Sequence, residues 1–246
     1  MREQPEQQAP PVQRLRIRYA KRGRMRFTSH RDFSRAFERA LVRARIPMAY
    51  SSGFNPHPRI SYAGAAPTGS ASEAEYLEIG LAELLEPDDV RRRLDESLPP
   101  GLDVLEVTGV AGGALADRLE ASRWRITLPD LARADADRAV REFLAADTVT
   151  VERMTKRGLR SFDCRAAVVS LRCGDSHAAD EACAILEVVL RHGTPSVRPD
   201  DVLAGLCECI GLGAAPVALF EREAQGPLDE QTGTVGDPLG PDRDAV

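Results

Sequence analysis

Two periodicities open the chain. Leu15, Ile17 and Tyr19 alternate with Arg14, Arg16 and Arg18, the period-two pattern of a strand with one apolar and one basic face. After Ser29, the residues Phe33, Phe37, Ala40, Leu41 and Ala44 fall in one narrow arc at about 100° per residue, which predicts an amphipathic helix whose stripe is buried. Ser29 followed three positions later by Asp32 is a capping pattern, so the helix is expected to start at His30. Pro47 is expected to end it.

The pattern continues in alternating blocks. Arg59 to Ala63 and Glu75 to Leu81 read as strands joined by the small-residue segment Gly64 to Ser72. Pro87, Asp88 and Asp89 open a helix that runs through Leu98 and is closed by Pro99, Pro100 and Gly101. A strand from Leu102 to Val110 completes the order β-α-β-β-α-β, which is the ferredoxin-like arrangement. A similar series follows: strand Trp124 to Leu128, helix Leu131 to Ala145, strands Thr148 to Met154, Phe162 to Arg172 and Cys183 to Arg191, helix Pro199 to Cys209, and a strand at Val217 to Phe220. The expected fold class is α+β, with tandem ferredoxin-like units of antiparallel strands and helices on one face. The units span 12–110 and 123–223, joined by a linker at 111–122. Residues 1–11, rich in Gln and Pro, and 224–246, rich in Gly, Pro and Asp, are expected to be disordered tails.

Composition adds compartment and charge. With 246 residues and 43% apolar content the chain has enough to bury a core, and no apolar run approaches the ~18 residues of a membrane span. A cytoplasmic protein with no membrane partner is expected. Five cysteines, an odd number confined to the second half, do not form a secreted-type disulfide framework. The net charge of −5 conceals a polarity: residues 12–62 carry thirteen Lys/Arg against Asp32 and Glu38, so +11 sits here and −16 elsewhere. A basic block in an acidic protein favours a phosphate-rich partner, unless the acidic segment 63–121 folds over it.

The chemistry-bearing residues cluster in the basic block. Arg31, Arg35, Arg39 and Arg43 follow one another at i, i+4 on the outer side of the helix, as either a solvated face or a binding face. Arg14, Arg16, Arg18, Lys21, Arg22, Arg24, Arg26 and Arg59 extend the candidate nucleic-acid surface. His30 at the amino end of the helix is a candidate base or hydrogen-bond donor, or else supports the cap and packs on Phe27. Asn55 and His57 lie in the loop Gly53-Phe54-Asn55-Pro56-His57-Pro58, stiffened by two prolines. The loop suits either polar groups aimed at a ligand or a buried clasp anchored by Phe54. Tyr19, Phe27, Tyr50 and Tyr62 are candidates to stack on bases. The pair Cys207 and Cys209 is a weak metal signal and reads better as core thiols, so no metal site and no cofactor is expected. No cysteine triplet with the spacing of a radical-SAM cluster is present in the sequence.

These residues carry a resemblance. Lys21, Gly23, Arg26, Phe27, Ser29, His30 and Asp32, then Arg39-Ala40-Leu41, then Ser52 through Pro58 with Ile60-Ser61, and later Gly69, Ser72 and Glu75 resemble the uncharacterised radical-SAM-associated domain family in its stand-alone form. The likeness is strong over about 14–82 and continues more weakly to about 220, through the turn Lys156-Arg157-Gly158 and Asp163-Cys164-Arg165. It implies association with a radical-SAM enzyme, with RNA, either tRNA or rRNA, as the substrate class. The leading expectation is an RNA-binding or substrate-presenting accessory protein rather than an enzyme. One alternative is a metal-independent ribonuclease with His30 as base, Lys21 or an arginine steadying the phosphorane, and Tyr50 or His57 as acid. The other is a protein-binding adaptor of a radical-SAM enzyme.

Overall fold

The computed structural model describes residues 7–155, 158–175, 183–212 and 215–245. It is a mixed α/β protein with mostly antiparallel strands, and it divides into two units, 1–118 with 238–246, and 119–237. Among the described residues no helix is long and apolar enough to cross a membrane.

In the first unit the order is β1 (Gln13–Lys21), a 3₁₀ turn (Gly23–Phe27), α1 (His30–Arg43), β2 (Ile60–Ala63), β3 (Ala71–Leu81), α2 (Pro87–Asp95) and β4 (Leu102–Gly109). The strands lie side by side as β4-β1-β3-β2, every pairing antiparallel. The apolar alternation in β1 and the stripe on α1 meet in one core. Leu15, Ile17 and Tyr19 pack with Phe33, Phe37 and Leu41, with Val90 and Leu94 from α2, and with Leu77, Ile79, Leu102 and Val104. Tyr19 and Phe33 stack with ring centroids 4.5 Å apart. Burying each of these large side chains contributes roughly 1.5–3 kcal/mol, which is what holds α1 on the sheet.

The helix starts at His30 as its cap predicts: Ser29 Oγ accepts from the Asp32 N–H at 3.2 Å and donates to Asp32 Oδ2 at 2.7 Å. Its end differs from expectation. Pro47 does not stop it; the chain turns out at Arg45, which holds a left-handed φ of 51°. The Arg45 N–H donates to Val42 O and the Ile46 N–H to Leu41 O, the paired bonds of a Schellman motif. Arg93 of α2 donates to Ala44 O and Arg45 O. A side chain from another helix thus satisfies the carbonyls of the cap residue and the residue after it, just past the end of α1.

In the second unit β5 (Ala121–Leu128), α3 (Arg133–Ala145), β6 (Thr150–Thr155), β7 (Gly158–Asp163), β8 (Val168–Cys173), β9 (Ala184–Arg191), α4 (Pro199–Cys209) and β10 (Leu219–Gly226) follow. The sheet order is β10-β5-β9-β8, again with antiparallel pairings. The single strand expected from Phe162 to Arg172 is interrupted by a 3₁₀ turn at Arg165–Ala167, so β6 and β7 pair as a separate hairpin. Of the expected turn Lys156-Arg157-Gly158, residues 156 and 157 lie outside the described residues.

The expected disorder of 224–246 is not what the chain does. β10 runs to Gly226, β11 (Leu228–Asp229) pairs with β12 (Thr234–Val235), and α5 (Gly240–Arg243) joins the first unit. Leu239 and Asp242 are buried there: one apolar and one charged side chain secure a segment with few apolar residues. At the other end, residues 1–6 of the expected tail lie outside the described residues, while the Gln8 N–H donates to Ser52 Oγ at 2.9 Å. The expected linker is also partly folded, since Leu115 in a 3₁₀ turn is buried and β5 begins at Ala121.

Candidate nucleic-acid interface

The predicted basic surface divides into two groups. On and beside β1 the arginines are engaged, most of them by carboxylates. Arg16 is 0% exposed, and its guanidinium is held by Asp242 at 2.8 and 2.9 Å, by Glu78 at 3.2 Å and by the carbonyls of Gly112 and Gly113. Both glycines have positive φ, 146° and 65°, and this turn aims two successive carbonyls at one guanidinium. Arg118 also donates to Asp242, as does the Ala111 N–H at 3.0 Å. Burial alone would raise the Asp242 carboxyl, but the bonds from Arg16, Ala111 and Arg118 outweigh it and hold that carboxyl below its ordinary value. Arg16 is therefore a structural cation and not a phosphate contact.

Its neighbours follow the same rule. Arg14 pairs with Glu78, Arg18 donates to Glu73 O at 2.8 Å, and Arg22 bridges Glu73 and Asp103. The pairing is a register effect, because antiparallel β3 puts Glu78 directly opposite Arg16. Lys21 is 5% exposed, with Nζ 3.5 Å from the carbonyls of Ala66 and Pro67. It is not available to steady a phosphorane, which corrects that expectation.

On α1 the arginines are open. Arg31, Arg35 and Arg39 are exposed, and among the described residues they make no ion pair or side-chain hydrogen bond. Arg43 donates to Ser97 O. With Glu38 and the exposed Val42, residues 35, 39 and 43 line a shallow depression on the outer side of the helix. Arg24 is exposed in the 3₁₀ turn that leads to α1, and Arg26 lies with its guanidinium 4.7 Å from the centroid of the Phe27 ring.

Among the described residues, the candidate catalytic residues His30, Tyr50 and His57 share no hydrogen bond or ring contact. His30 is exposed and meets Tyr62 edge-on, ring centroids 4.8 Å apart. Tyr62 is pushed upward by desolvation first, and its buried hydroxyl lacks a well-formed partner. The 51–58 loop is closed by its own backbone: Ser51 N–H donates to His57 O at 2.9 Å and His57 N–H to Ser51 Oγ at 3.0 Å. Arg59 Nε donates to Tyr50 O at 3.2 Å. Tyr50, Asn55 and His57 are all exposed. Phe54 is 69% exposed, so the clasp is made by Ser51 and not by a Phe54 anchor.

Sequence reasoning missed two groups. One is Asp242, whose partner Arg16 stands at the other end of the chain. The other is His192, which bonds Leu119 O at 2.7 Å and Ser122 Oγ at 3.1 Å, while Trp124 Nε1 donates to the same Oγ at 2.8 Å. Desolvation draws His192 below its ordinary value. Ser122 is buried, which leaves this serine–histidine pair no access to a substrate. Cys207 is buried on α4, and desolvation raises its thiol and that of Cys209.

Residues 14–199 match a family described as "Uncharacterized protein conserved in bacteria (DUF2344)". The chain belongs to this family. No curated protein matches it. Among solved structures it is similar to one titled "Crystal Structure of an Unknown Protein from Galdieria sulphuraria", at 9% identity, with 85% of this chain and 98% of that one covered and a TM-score of 0.25.

Proposed function

We propose that this member of the DUF2344 family is an RNA-binding accessory protein, with no catalytic activity of its own, that presents tRNA or rRNA to a radical-SAM modification enzyme. One observation carries the RNA half: Arg31, Arg35 and Arg39 stay exposed and, among the described residues, unpaired on α1, while carboxylates take up Arg14, Arg16 and Arg22. Three cations on one ridge, about 6 Å apart along the axis, are unneutralised charge waiting for phosphates. The radical-SAM half rests on the likeness of residues 21–32 and 52–58 to the radical-SAM-associated family. We read the scaffold as two ferredoxin-like units. Support comes from the order β4-β1-β3-β2, which recurs as β10-β5-β9-β8 with a hairpin inserted after α3.

The test is a titration of the purified chain with labelled tRNA between about 50 and 200 mM salt. Binding should weaken linearly in log K against log salt, and Arg35→Ala should lower the slope by roughly 0.7–0.9, the share of one phosphate. Salt-independent or undetectable binding overturns the RNA reading. Incubation with RNA in EDTA is the companion measurement: discrete cleavage that vanishes in His30→Ala would replace the accessory role with the ribonuclease one.

A further inference from the structure

The proposed role leaves open what form of RNA the ridge takes. Of the four aromatic candidates, two are already engaged. Tyr19 is buried and stacked on Phe33, and Tyr62 meets both His30 and Phe33 edge-on, the latter at 5.9 Å. These two are not free to stack on a base. Phe27 differs: it is 59% exposed, it stands two residues before the Ser29 cap of α1, and one of its faces carries the Arg26 guanidinium. A singly exposed phenylalanine is ordinary on a protein surface. What sets this one apart is its place at the amino end of the ridge, four residues before Arg31, with a cation already seated on the ring.

Resting on the RNA reading above, we infer that the bound segment is single-stranded and that Phe27 is the platform on which one of its bases stacks. Phosphates following Arg39, Arg35 and Arg31 along the outer side of α1 bring the strand to the amino end of the helix, which the turn holding Phe27 precedes. Arg26 supplies a second planar cation at the same point, so a base there gains both ring stacking and charge. A duplex cannot use this platform, because its base faces are covered by their own neighbours and only its backbone and shallow groove reach the protein. The ridge alone would accept either form; the ring discriminates between them.

The experiment compares a single-stranded oligoribonucleotide with a blunt-ended duplex annealed from two strands, each titrated against wild type, Phe27→Ala, Phe27→Trp and Arg35→Ala. The expected result is tighter binding of the single strand and a loss of roughly 5- to 100-fold on it in Phe27→Ala. The salt slope should stay that of wild type, the duplex affinity should not change, and Phe27→Trp should restore binding. Phe27 is a surface residue, and unchanged circular dichroism of the variants checks the fold. Equal affinity for both forms, or an unaffected Phe27→Ala, overturns the inference while the Arg35→Ala slope change still supports RNA binding. If neither form binds in a salt-dependent way, the RNA reading falls and this inference with it.

Discussion

The arginines of β1 and those of α1 are equally basic in sequence and opposite in fate. A strand residue in mid-sheet faces a fixed partner on each side, so Glu78 of β3 sits within reach of Arg14 and Arg16, and just past the strand end Glu73 of β3 and Asp103 of β4 take Arg22. The outer side of an amphipathic helix has no such opposite number, and Arg31, Arg35 and Arg39 keep their charge facing solvent. Counting cations along a chain therefore overstates the available field. Only the unpaired ones can meet a phosphate strand, and among the described residues the three on α1 are the ones that form a continuous ridge.

The sharpest way to break this contrast is Asp242→Asn. It leaves Arg16 buried with a weakened partner set, and removing one member of a buried pair costs roughly 3–5 kcal/mol. Urea unfolding should show that destabilisation while the RNA salt slope stays that of wild type. The pH dependence carries a sign. The Asp242 carboxyl is depressed in the folded chain, so its stabilisation is present above the unfolded carboxylate value and is lost as pH falls through the folded one. Wild type should lose stability steeply in acid, and the variant should follow a flatter curve. If Asp242→Asn instead lowers the salt slope, the strand arginines are part of the interface and the contrast is wrong.

Next in size is the triple change of Arg31, Arg35 and Arg39 to Ala. On single-stranded RNA it should reduce the slope by roughly two units, about 0.7 for each phosphate, with stability altered by no more than about 0.5 kcal/mol. A large stability loss would mean that these side chains have partners after all. A smaller effect of opposite sign is expected from Arg45→Gly. A left-handed backbone costs a residue with a Cβ roughly 1–2 kcal/mol that glycine avoids, so the helix end should tighten by about 1 kcal/mol, offset by glycine's larger unfolded-state entropy. Since this arginine stands beyond the ridge, any change in slope would show that the phosphate path continues past Arg39.

What was legible in the sequence was local or periodic. The cap at Ser29 and Asp32, the stripe through Phe33 and Leu41, and the strand order of the first unit depend on neighbours within a few positions or on alternation. What was hidden depends on distant residues. Nothing near Arg16 announces Asp242, 226 positions away. The left-handed Arg45 is stabilised by Arg93 from another helix, where propensity alone would wait for a glycine or a proline. The tail at 224–245 has a composition typical of disorder, yet two buried side chains, Leu239 and Asp242, hold part of it in place. As for the site, its cations were all visible, but their availability was not, because pairing is decided by strand register. Lys21, Tyr19 and Phe54 show the same limit: residue type suggested a role that burial or exposure reversed.

The smallest expected effect separates charge that is present from charge that is available. Arg22 is half exposed and bridges Glu73 and Asp103, with Nε 2.6 Å from Glu73 Oε1 and a terminal nitrogen 2.7 Å from Asp103 Oδ2. The Glu73 bond is the main cause of its raised pKa. Because the pair is solvated, Arg22→Ala should cost about 0.5 kcal/mol or less. It removes a full positive charge from the basic block, just as Arg35→Ala does, but that charge was already neutralised by two carboxylates. Side by side under identical salt, Arg35→Ala should shift the slope and Arg22→Ala should leave it within about a third of that shift. The bared Glu73 and Asp103 act only through the screened field, over a Debye length of about 10 Å at 0.1 M. Equal slope changes in the two variants would mean that net charge, and not the geometry of α1, draws the RNA.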